Sequence, residues 1–250
     1  MFAVIAIALA FHINLIGIKL LILKFLFLGM TKLLVAAGSG SGTRLASAEI
    51  INLDDSNPNL ICDNLPDLAV PISSLTGQLF TQKLPIICGG NDATRLYCDC
   101  YSFGSNSWQS IPSLKECKYG SSSAVIPNPN VSGKEMLLVT GGYTGSVAST
   151  VETFDGSLWN QTMFAKLPTA TYFHSLEKIN STTLLQMGGN TLGSASGTKR
   201  TTYFFDFVQN KWTSGPLLNI GRHFAASAVM NWQNPSTGIA EQVIFKEKMM

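Results

Sequence analysis

The sequence has little charge and few of the residues that usually perform catalysis. Charged residues make up 13% of the chain and the formal net charge is +2. Lysine and arginine form no cluster of the kind that binds a phosphate backbone, so we expect no nucleic-acid partner. No phosphate loop of the GxGxxG or GK[ST] type occurs, and no GxSxG nucleophile motif. Only three histidines are present (His12, His174 and His223). The sequence therefore predicts no cofactor, no metal site, no catalytic residues and a protein that is not an enzyme.

Apolar segments that stop at two adjacent glycines recur along the chain. The segment MLLVTGG ends at Gly141 and Gly142, and LPIICGG and TLLQMGG have the same form. A segment of branched and long apolar residues favours a buried strand, and a glycine pair ends it with a backbone that other residues rarely adopt. The repeat is defined by the second glycine of each pair, with spacings of 52, 52 and 47 residues between Gly38, Gly90, Gly142 and Gly189. The first glycines of the three complete pairs are Gly89, Gly141 and Gly188. A period near fifty predicts a repeat architecture.

The remainder of each unit repeats as well. A second strand with an aromatic residue follows the glycines, and a tryptophan follows a short polar turn, at Trp108, Trp159 and Trp212. Tyr101 and Phe205 each precede their tryptophan by seven residues. A proline then precedes a fourth apolar strand, as in SSSAVIP and FAASAVM. Four short strands per unit with polar connections predict one blade of a β-propeller. We interpret the glycines and tryptophans as structural, because a large aromatic in a repeated register packs between blades.

The chain resembles the kelch family on three features: the diglycine after an apolar strand, the pairs Phe154-Asp155 and Phe205-Asp206, and the downstream tryptophan. The resemblance implies an all-β kelch propeller of about four four-stranded blades, incomplete and open, preceded by an apolar N-terminal helix. The predicted domains are an apolar signal peptide or membrane anchor over 1–30 and a propeller fragment over 31–250. Its blades are expected at about 33–83, 84–135, 136–182 and 183–241, followed by the first strand of another blade.

The N-terminal segment is almost entirely apolar over residues 2–28. About twenty apolar residues span a bilayer, so this segment favours the secretory pathway, by cleavage or as a membrane tether. Two alternatives remain open at this stage: an apolar helix packed on the propeller, or a natural start at Met30. We expect a secreted or membrane-anchored protein, with a cytoplasmic location as the alternative.

The five cysteines all lie in the first half of the chain and lack zinc-pair spacing; they are Cys62, Cys88, Cys98, Cys100 and Cys117. Blade adjacency predicts a Cys62–Cys88 disulfide, and a second bridge from Cys98 or Cys100 to Cys117. Free thiols in a reducing compartment are the alternative. Three sequons at Asn130, Asn160 and Asn180 permit N-glycosylation.

The family resemblance implies a non-catalytic module that presents propeller loops to an unidentified protein partner. Two alternatives are a fragment of a galactose-oxidase-like or other kelch-fold enzyme, and an intracellular kelch adaptor that lacks its BTB domain. Unpaired sheet edges at the ends of an open arc predict self-association.

Overall fold

A computed structural model describes residues 32–40, 42–52, 63–81, 84–192, 194–233 and 240–248. The predicted N-terminal helix, the 1–30 leader and Cys62 lie outside the described residues. Within the described part of the chain, no helix is long and apolar enough to cross a membrane. The helical content described there is one 3₁₀ turn, η1 (Ala195–Gly197), so the described fold is all-β, as predicted.

Nineteen short strands are described, in chain order. The first five are β1 (Lys32–Ala36), β2 (Ser39–Gly40), β3 (Thr43–Arg44), β4 (Ala48–Asn52) and β5 (Asp63–Leu65). The next four are β6 (Thr76–Phe80), β7 (Leu84–Cys88), β8 (Cys100–Gly104) and β9 (Ser107–Ile111). Four more are β10 (Ser122–Pro127), β11 (Glu135–Thr140), β12 (Val151–Phe154) and β13 (Trp159–Asn160). The last six are β14 (Ser175–Lys178), β15 (Thr183–Met187), β16 (Thr202–Asp206), β17 (Lys211–Ser214), β18 (Ala225–Gln233) and β19 (Ala240–Lys248).

These strands form five main antiparallel sheets and a small β2–β3 hairpin. We number the sheets along the chain: sheet I is β1-β4-β5, sheet II is β6 to β9, sheet III is β10 to β13, sheet IV is β14 to β17, and sheet V is β18-β19. Each diglycine strand pairs with the strand before it in the chain, as Leu138 in β11 does with Ala124 in β10. Sheets II, III and IV therefore each join the last strand of one sequence unit to the first three strands of the next.

The sheets are arranged as an open arc of propeller blades. The first strands of sheets II to V (β6, β10, β14 and β18) lie side by side as the inner strands. Hydroxyl groups join them: Thr76 donates to the Ser123 hydroxyl at 2.7 Å, and Ser175 donates to the Ala225 carbonyl at 2.8 Å. These bonds satisfy polar groups at the seams between inner strands.

Strand direction gives each blade two distinct ends. The connections from first to second strand and from third to fourth strand lie at one end, which we call the hairpin face. The connections from second to third strand, and from the fourth strand to the next sheet, lie at the other end, which we call the loop face. This division follows from the antiparallel order of every four-stranded sheet.

The apolar core lies between neighbouring sheets, which explains the uninterrupted apolar segments. In β11, Leu137 and Val139 pack in a cluster with sheet II, whereas Met136 and Leu138 pack with sheet IV. All four side chains are buried. A strand buried on both faces reads as a continuous apolar run rather than an alternation.

The diglycine positions have one geometry in all four units. The second glycine donates its N–H to the loop before the next inner strand, as Gly142 does to Thr171 at 3.0 Å. Gly38 donates in the same way to Ile72 at 2.9 Å, and Ala37 takes the place of the first glycine with φ 58°. The divergent first unit therefore keeps the backbone of the repeat.

The repeat tryptophans of sheets II, III and IV each donate a hydrogen bond to the chain that precedes their sheet. The indole of Trp159 donates to the Pro112 carbonyl at 2.7 Å, that of Trp108 to Pro66 at 2.9 Å and that of Trp212 to Ala165 at 3.0 Å. The residue opposite Trp108 across the hairpin is Phe103, whereas Tyr101 pairs with Ser110. A two-residue turn separates β8 from β9, which shifts the spacing.

Candidate binding site on the loop face

Five aromatic side chains meet at the inner edge of the loop face, where the inner strands begin. We call Tyr119, Tyr143, Tyr172, Phe173 and Phe224 the aromatic cluster. Tyr119 precedes β10, Tyr172 and Phe173 precede β14, and Phe224 precedes β18. Tyr143 follows the diglycine of sheet III. Two kinds of loop, from three sheets, thus supply one surface.

A backbone repeat places these residues. The residue two positions before β6, β10 and β14 has a φ between 50° and 65°, at Ser74, Gly120 and Phe173. Phe224, immediately before β18, has a φ of 53°. The N–H groups of these residues donate to the equivalent residue of the preceding blade: Gly120 to Ser74 at 2.8 Å, Phe173 to Gly120 at 2.6 Å and Phe224 to Phe173 at 3.1 Å. This chain of bonds fixes the loops relative to one another. The left-handed backbone at Phe173 and Phe224 is unusual for an aromatic residue and is held by these contacts.

The rings of the cluster contact one another continuously. Tyr119 lies 5.3 Å from Tyr143 and 6.1 Å from Tyr172, between ring centroids. Phe173 lies 4.7 Å from Tyr172 and stacks on Phe224 at 3.5 Å. Tyr172 is buried, whereas 37% of the Phe224 side chain is exposed. The cluster therefore has a buried base and an accessible rim.

Two phenols of the cluster, Tyr119 and Tyr172, have a raised pKa and stay neutral beyond the ordinary pH range of tyrosine. Partial burial raises the pKa of Tyr119, and the nearby Tyr172 and Tyr143 hydroxyls raise it further. Partial burial also raises the pKa of Tyr172. Neutral phenols donate and accept hydrogen bonds beside an apolar ring surface, which suits an amphipathic ligand.

A second ordered loop on this face surrounds Asp92, after the diglycine of sheet II. The Tyr97 hydroxyl donates to one Asp92 oxygen at 2.5 Å, and Thr94 donates to the other from its N–H and its hydroxyl. These hydrogen bonds hold the Asp92 pKa well below its usual range, the Tyr97 bond most strongly. The Arg95 guanidinium covers the Tyr97 ring at 4.4 Å from its centroid. The loop is a compact, polar part of the face.

A buried ion pair lies beneath the loop face. Lys118 and Glu152 both have side chains with no exposure, and the Lys118 Nζ lies 2.8 Å from Glu152 Oε1. Lys118 also donates to Thr150 Oγ1 at 3.0 Å, and Glu152 Oε2 accepts the Lys115 N–H at 2.6 Å. The pair joins the loop before β10 to β12. No periodic signal in the sequence points to this pair: the residues equivalent to Glu152 are Glu49, Tyr101 and Tyr203, and the residue equivalent to Lys118 in the unit that contains Glu49 is Ile72.

Two disulfides fix the loops of sheet II. Cys88 bonds to Cys100, its register partner on the adjacent strand, and Cys98 bonds to Cys117. The predicted Cys62–Cys88 bridge is therefore wrong, because Cys88 is bonded within its own sheet. Two disulfides are the pattern that an oxidising compartment allows.

The sequon asparagines lie away from this site. Asn130 and Asn180 are in the β10–β11 and β14–β15 connections, and Asn160 ends β13 beside the β12–β13 connection. All three are exposed and belong to the hairpin face. Of the histidines, His174 shares a 2.9 Å hydrogen bond with Thr140 and His223 shares one of 2.8 Å with Thr198. His12 lies outside the described residues.

Solved structures share this fold. A structure described as a novel fungal alcohol oxidase of the AA5 family, in complex with copper, is similar with a TM-score of 0.55 and 12% identity over 83% of this chain and 56% of that chain. YjhT is similar with a TM-score of 0.61 and 12% identity over 88% of this chain and 78% of that chain. The chain thus spans little more than half of the oxidase. No protein-family model matches the sequence, and no curated protein matches it.

The prediction that the protein is not an enzyme is wrong on this comparison, because a copper alcohol oxidase has the same fold. The likeness shows the fold and carries over no catalytic residue. Among the described residues, no three of His, Cys, Asp and Glu come together, and His174 and His223 each share a hydrogen bond with a threonine. Across the described residues, the chain has the fold of a kelch-like β-propeller, open rather than closed.

Proposed function

We propose that this chain is a propeller module that binds a protein partner through the aromatic cluster on its loop face. The observation that carries this proposal is the continuous contact of five aromatic side chains, from three sheets, with Phe224 accessible at the rim. Tyrosine and other large aromatics dominate the binding energy of protein interfaces, because they bury a large area with few rotatable bonds.

The side chains of the cluster are uncharged, which favours a polypeptide over a strongly charged ligand. Lys118, which adjoins Tyr119, is fully buried and paired with Glu152, and Arg222, two residues before Phe224, is half-buried. The cluster itself offers phenol hydroxyls and ring faces, which complement backbone amides and apolar side chains. The fixed backbone of the loops lowers the entropy that binding would cost.

The two disulfides support a secretory or extracellular setting for this role, secreted or membrane-anchored. Structural disulfides persist in oxidising compartments and are uncommon in the cytosol. The Cys88–Cys100 bridge joins β7 to β8, and the Cys98–Cys117 bridge joins the connection before β8 to the loop that carries Tyr119. They would stabilise the conformation of the loop face outside the cell.

A peptide library displayed on phage, selected on the full chain, tests the proposal. We expect enriched peptides whose affinity falls at least about tenfold, or roughly 1.4 kcal/mol, when Tyr143 and Phe224 are both replaced by alanine. A matched control replaces the exposed Leu158 of the hairpin face by alanine and leaves the affinity unchanged. Thermal unfolding of both variants shows that the fold survives. Peptides that lose affinity only with the Leu158 change would overturn the assignment of the site.

A further inference from the structure

All three sequons lie on the hairpin face, opposite the aromatic cluster. The acceptor asparagines are exposed, at Asn130, Asn160 and Asn180. Sheets III and IV both contribute, from connections that end on the same side of the molecule. A bulky hydrophilic group is tolerated only at such surface positions.

Two of the sequons have a local geometry that leaves the acceptor nitrogen uncommitted. Asn160 Oδ1 accepts the Thr162 N–H at 2.7 Å and the Thr162 hydroxyl at 3.0 Å. Asn180 Oδ1 accepts the same two groups of Thr182, at 2.8 Å and 3.2 Å. Among the described residues, no hydrogen bond is donated by Nδ2 of Asn160 or Asn180, which is the atom that would carry a sugar. A glycan attached there breaks no contact of the fold.

The first two sequons share a concave surface. Asn130 and Asn160 line the same cavity of about 250 Å³, together with Val131 and Leu158. Leu158 is 68% exposed and Val131 is 48% exposed, so this part of the hairpin face leaves apolar side chains in water. The apolar face of a sugar ring placed in the cavity would cover them.

We propose that Asn130, Asn160 and Asn180 are N-glycosylated, and that the glycans on Asn130 and Asn160 together cover Val131 and Leu158. The donor class is an oligosaccharide linked to a lipid pyrophosphate, used by the transferase of the host. The bond from Nδ2 to the first sugar carbon forms, the bond from that carbon to the pyrophosphate oxygen breaks, and the lipid pyrophosphate leaves as Nδ2 loses a proton. The glycans occupy the face opposite the proposed partner site.

The test is expression of the full chain in a eukaryotic secretory host, followed by mass spectrometry of its peptides before and after removal of N-glycans by an amidase. We expect a glycan at each of the three asparagines, and conversion of each to aspartate by the amidase. Thr162→Ala should abolish the glycan at Asn160, whereas the matched Thr162→Ser variant keeps the sequon and retains a glycan there. Neither change alters the acceptor asparagine itself.

Glycosylation of the asparagines and covering of the cavity are tested by different outcomes. Three unmodified asparagines would overturn the proposal, and glycans at Asn180 alone would overturn the shared covering of the cavity. For the covering itself, Asn130→Gln combined with Asn160→Gln should increase the fluorescence of a dye that binds exposed apolar surface. Unchanged dye binding would contradict that part. Partner binding enters neither measurement, so failure here is distinct from failure of the proposed function.

Discussion

At the residue scale, the Lys118–Glu152 pair is the most consequential polar contact in the described structure. Replacing Glu152 by Gln leaves the buried Lys118 ammonium with Glu116 as its one carboxylate partner among the described residues, and Glu116 Oε2 is farther away, at 3.4 Å, and partly exposed. We expect the free energy of unfolding to fall by about 3 kcal/mol, the lower end of the cost of breaking a buried ion pair, measured by urea denaturation. The double variant Lys118→Met with Glu152→Leu should recover most of the loss, because two apolar side chains need no compensation.

A partly exposed glutamate serves as the control for this change. Glu135 begins β11 and is only half-buried, so Glu135→Gln should alter the stability by less than about 0.5 kcal/mol. If Glu152→Gln costs no more than Glu135→Gln, the ion pair does not stabilise the loop before β10.

The tyrosines of the aromatic cluster give a prediction for alkaline pH. Burial raises the pKa of Tyr119 above its ordinary value. The folded state therefore favours the neutral phenol, and this contribution to stability is complete below the ordinary pKa of about 10 and is lost as pH rises through the higher folded value. Titration followed by tyrosinate absorbance should show a late ionisation whose amplitude falls by one tyrosine in Tyr119→Phe, because the pKa of Tyr172 is raised as well. Identical titration curves for the two proteins would contradict the buried position of this hydroxyl.

At the element scale, the diglycine turn combines a left-handed backbone with a close approach between loops. Gly141 has φ 59°, and a methyl group there would collide with the Thr171 carbonyl of the loop before β14. We expect Gly141→Ala to lower the free energy of unfolding by about 2–4 kcal/mol, from backbone strain and overpacking together. Thermal or urea unfolding measures the loss.

Gly145 separates these two causes. It also has a positive φ of 103°, but an added methyl group would meet no atom within 4 Å. Gly145→Ala should lower the free energy of unfolding by about 1–2 kcal/mol, from backbone strain alone. Equal losses for the two variants would show that the close approach to Thr171 contributes nothing.

The individual elements show which structural features can be predicted from the sequence. The strand and turn of the segment MLLVTGG can be predicted, because burial on both faces and a glycine turn are local requirements of the chain. The cross-strand partner of Trp108 could not be predicted from the sequence. The two-residue turn at Ser105 and Asn106, both with positive φ, brings Phe103 rather than Tyr101 opposite the indole. The Cys88–Cys100 bond likewise depends on the register of β7 and β8.

The aromatic cluster could be predicted from the sequence only in part. An aromatic residue precedes three inner strands at a similar offset, at Tyr119, Tyr172 and His223, which is a periodic signal. Their convergence with Tyr143 depends on the bonds between blades, such as Phe173 to Gly120, and no local pattern encodes those bonds. The buried Lys118–Glu152 pair occurs in one unit only, so a search for repeats passes over it.

At the scale of the whole molecule, the blades form a linear array in which each sheet packs only on its neighbours. Stability in such arrays is close to a sum of the terms within each repeat and between adjacent repeats. The Trp159 indole is one such term, because it belongs to sheet III and donates to the Pro112 carbonyl that follows sheet II. Trp159 is also 4% exposed and packs with both sheets.

Trp159→Phe should therefore weaken the interface between sheets II and III, by about 1–3 kcal/mol from the lost hydrogen bond and the lost volume. Native-state hydrogen exchange should show lower protection in β7 and β11 and a smaller change in β15. The Trp212 indole donates to Ala165, which follows sheet III. The matched variant Trp212→Phe should therefore lower the protection in β11 and β15 instead. If both variants lowered protection equally in all three strands, the array would unfold as one cooperative unit, and the indoles would not act as local joints between neighbouring blades.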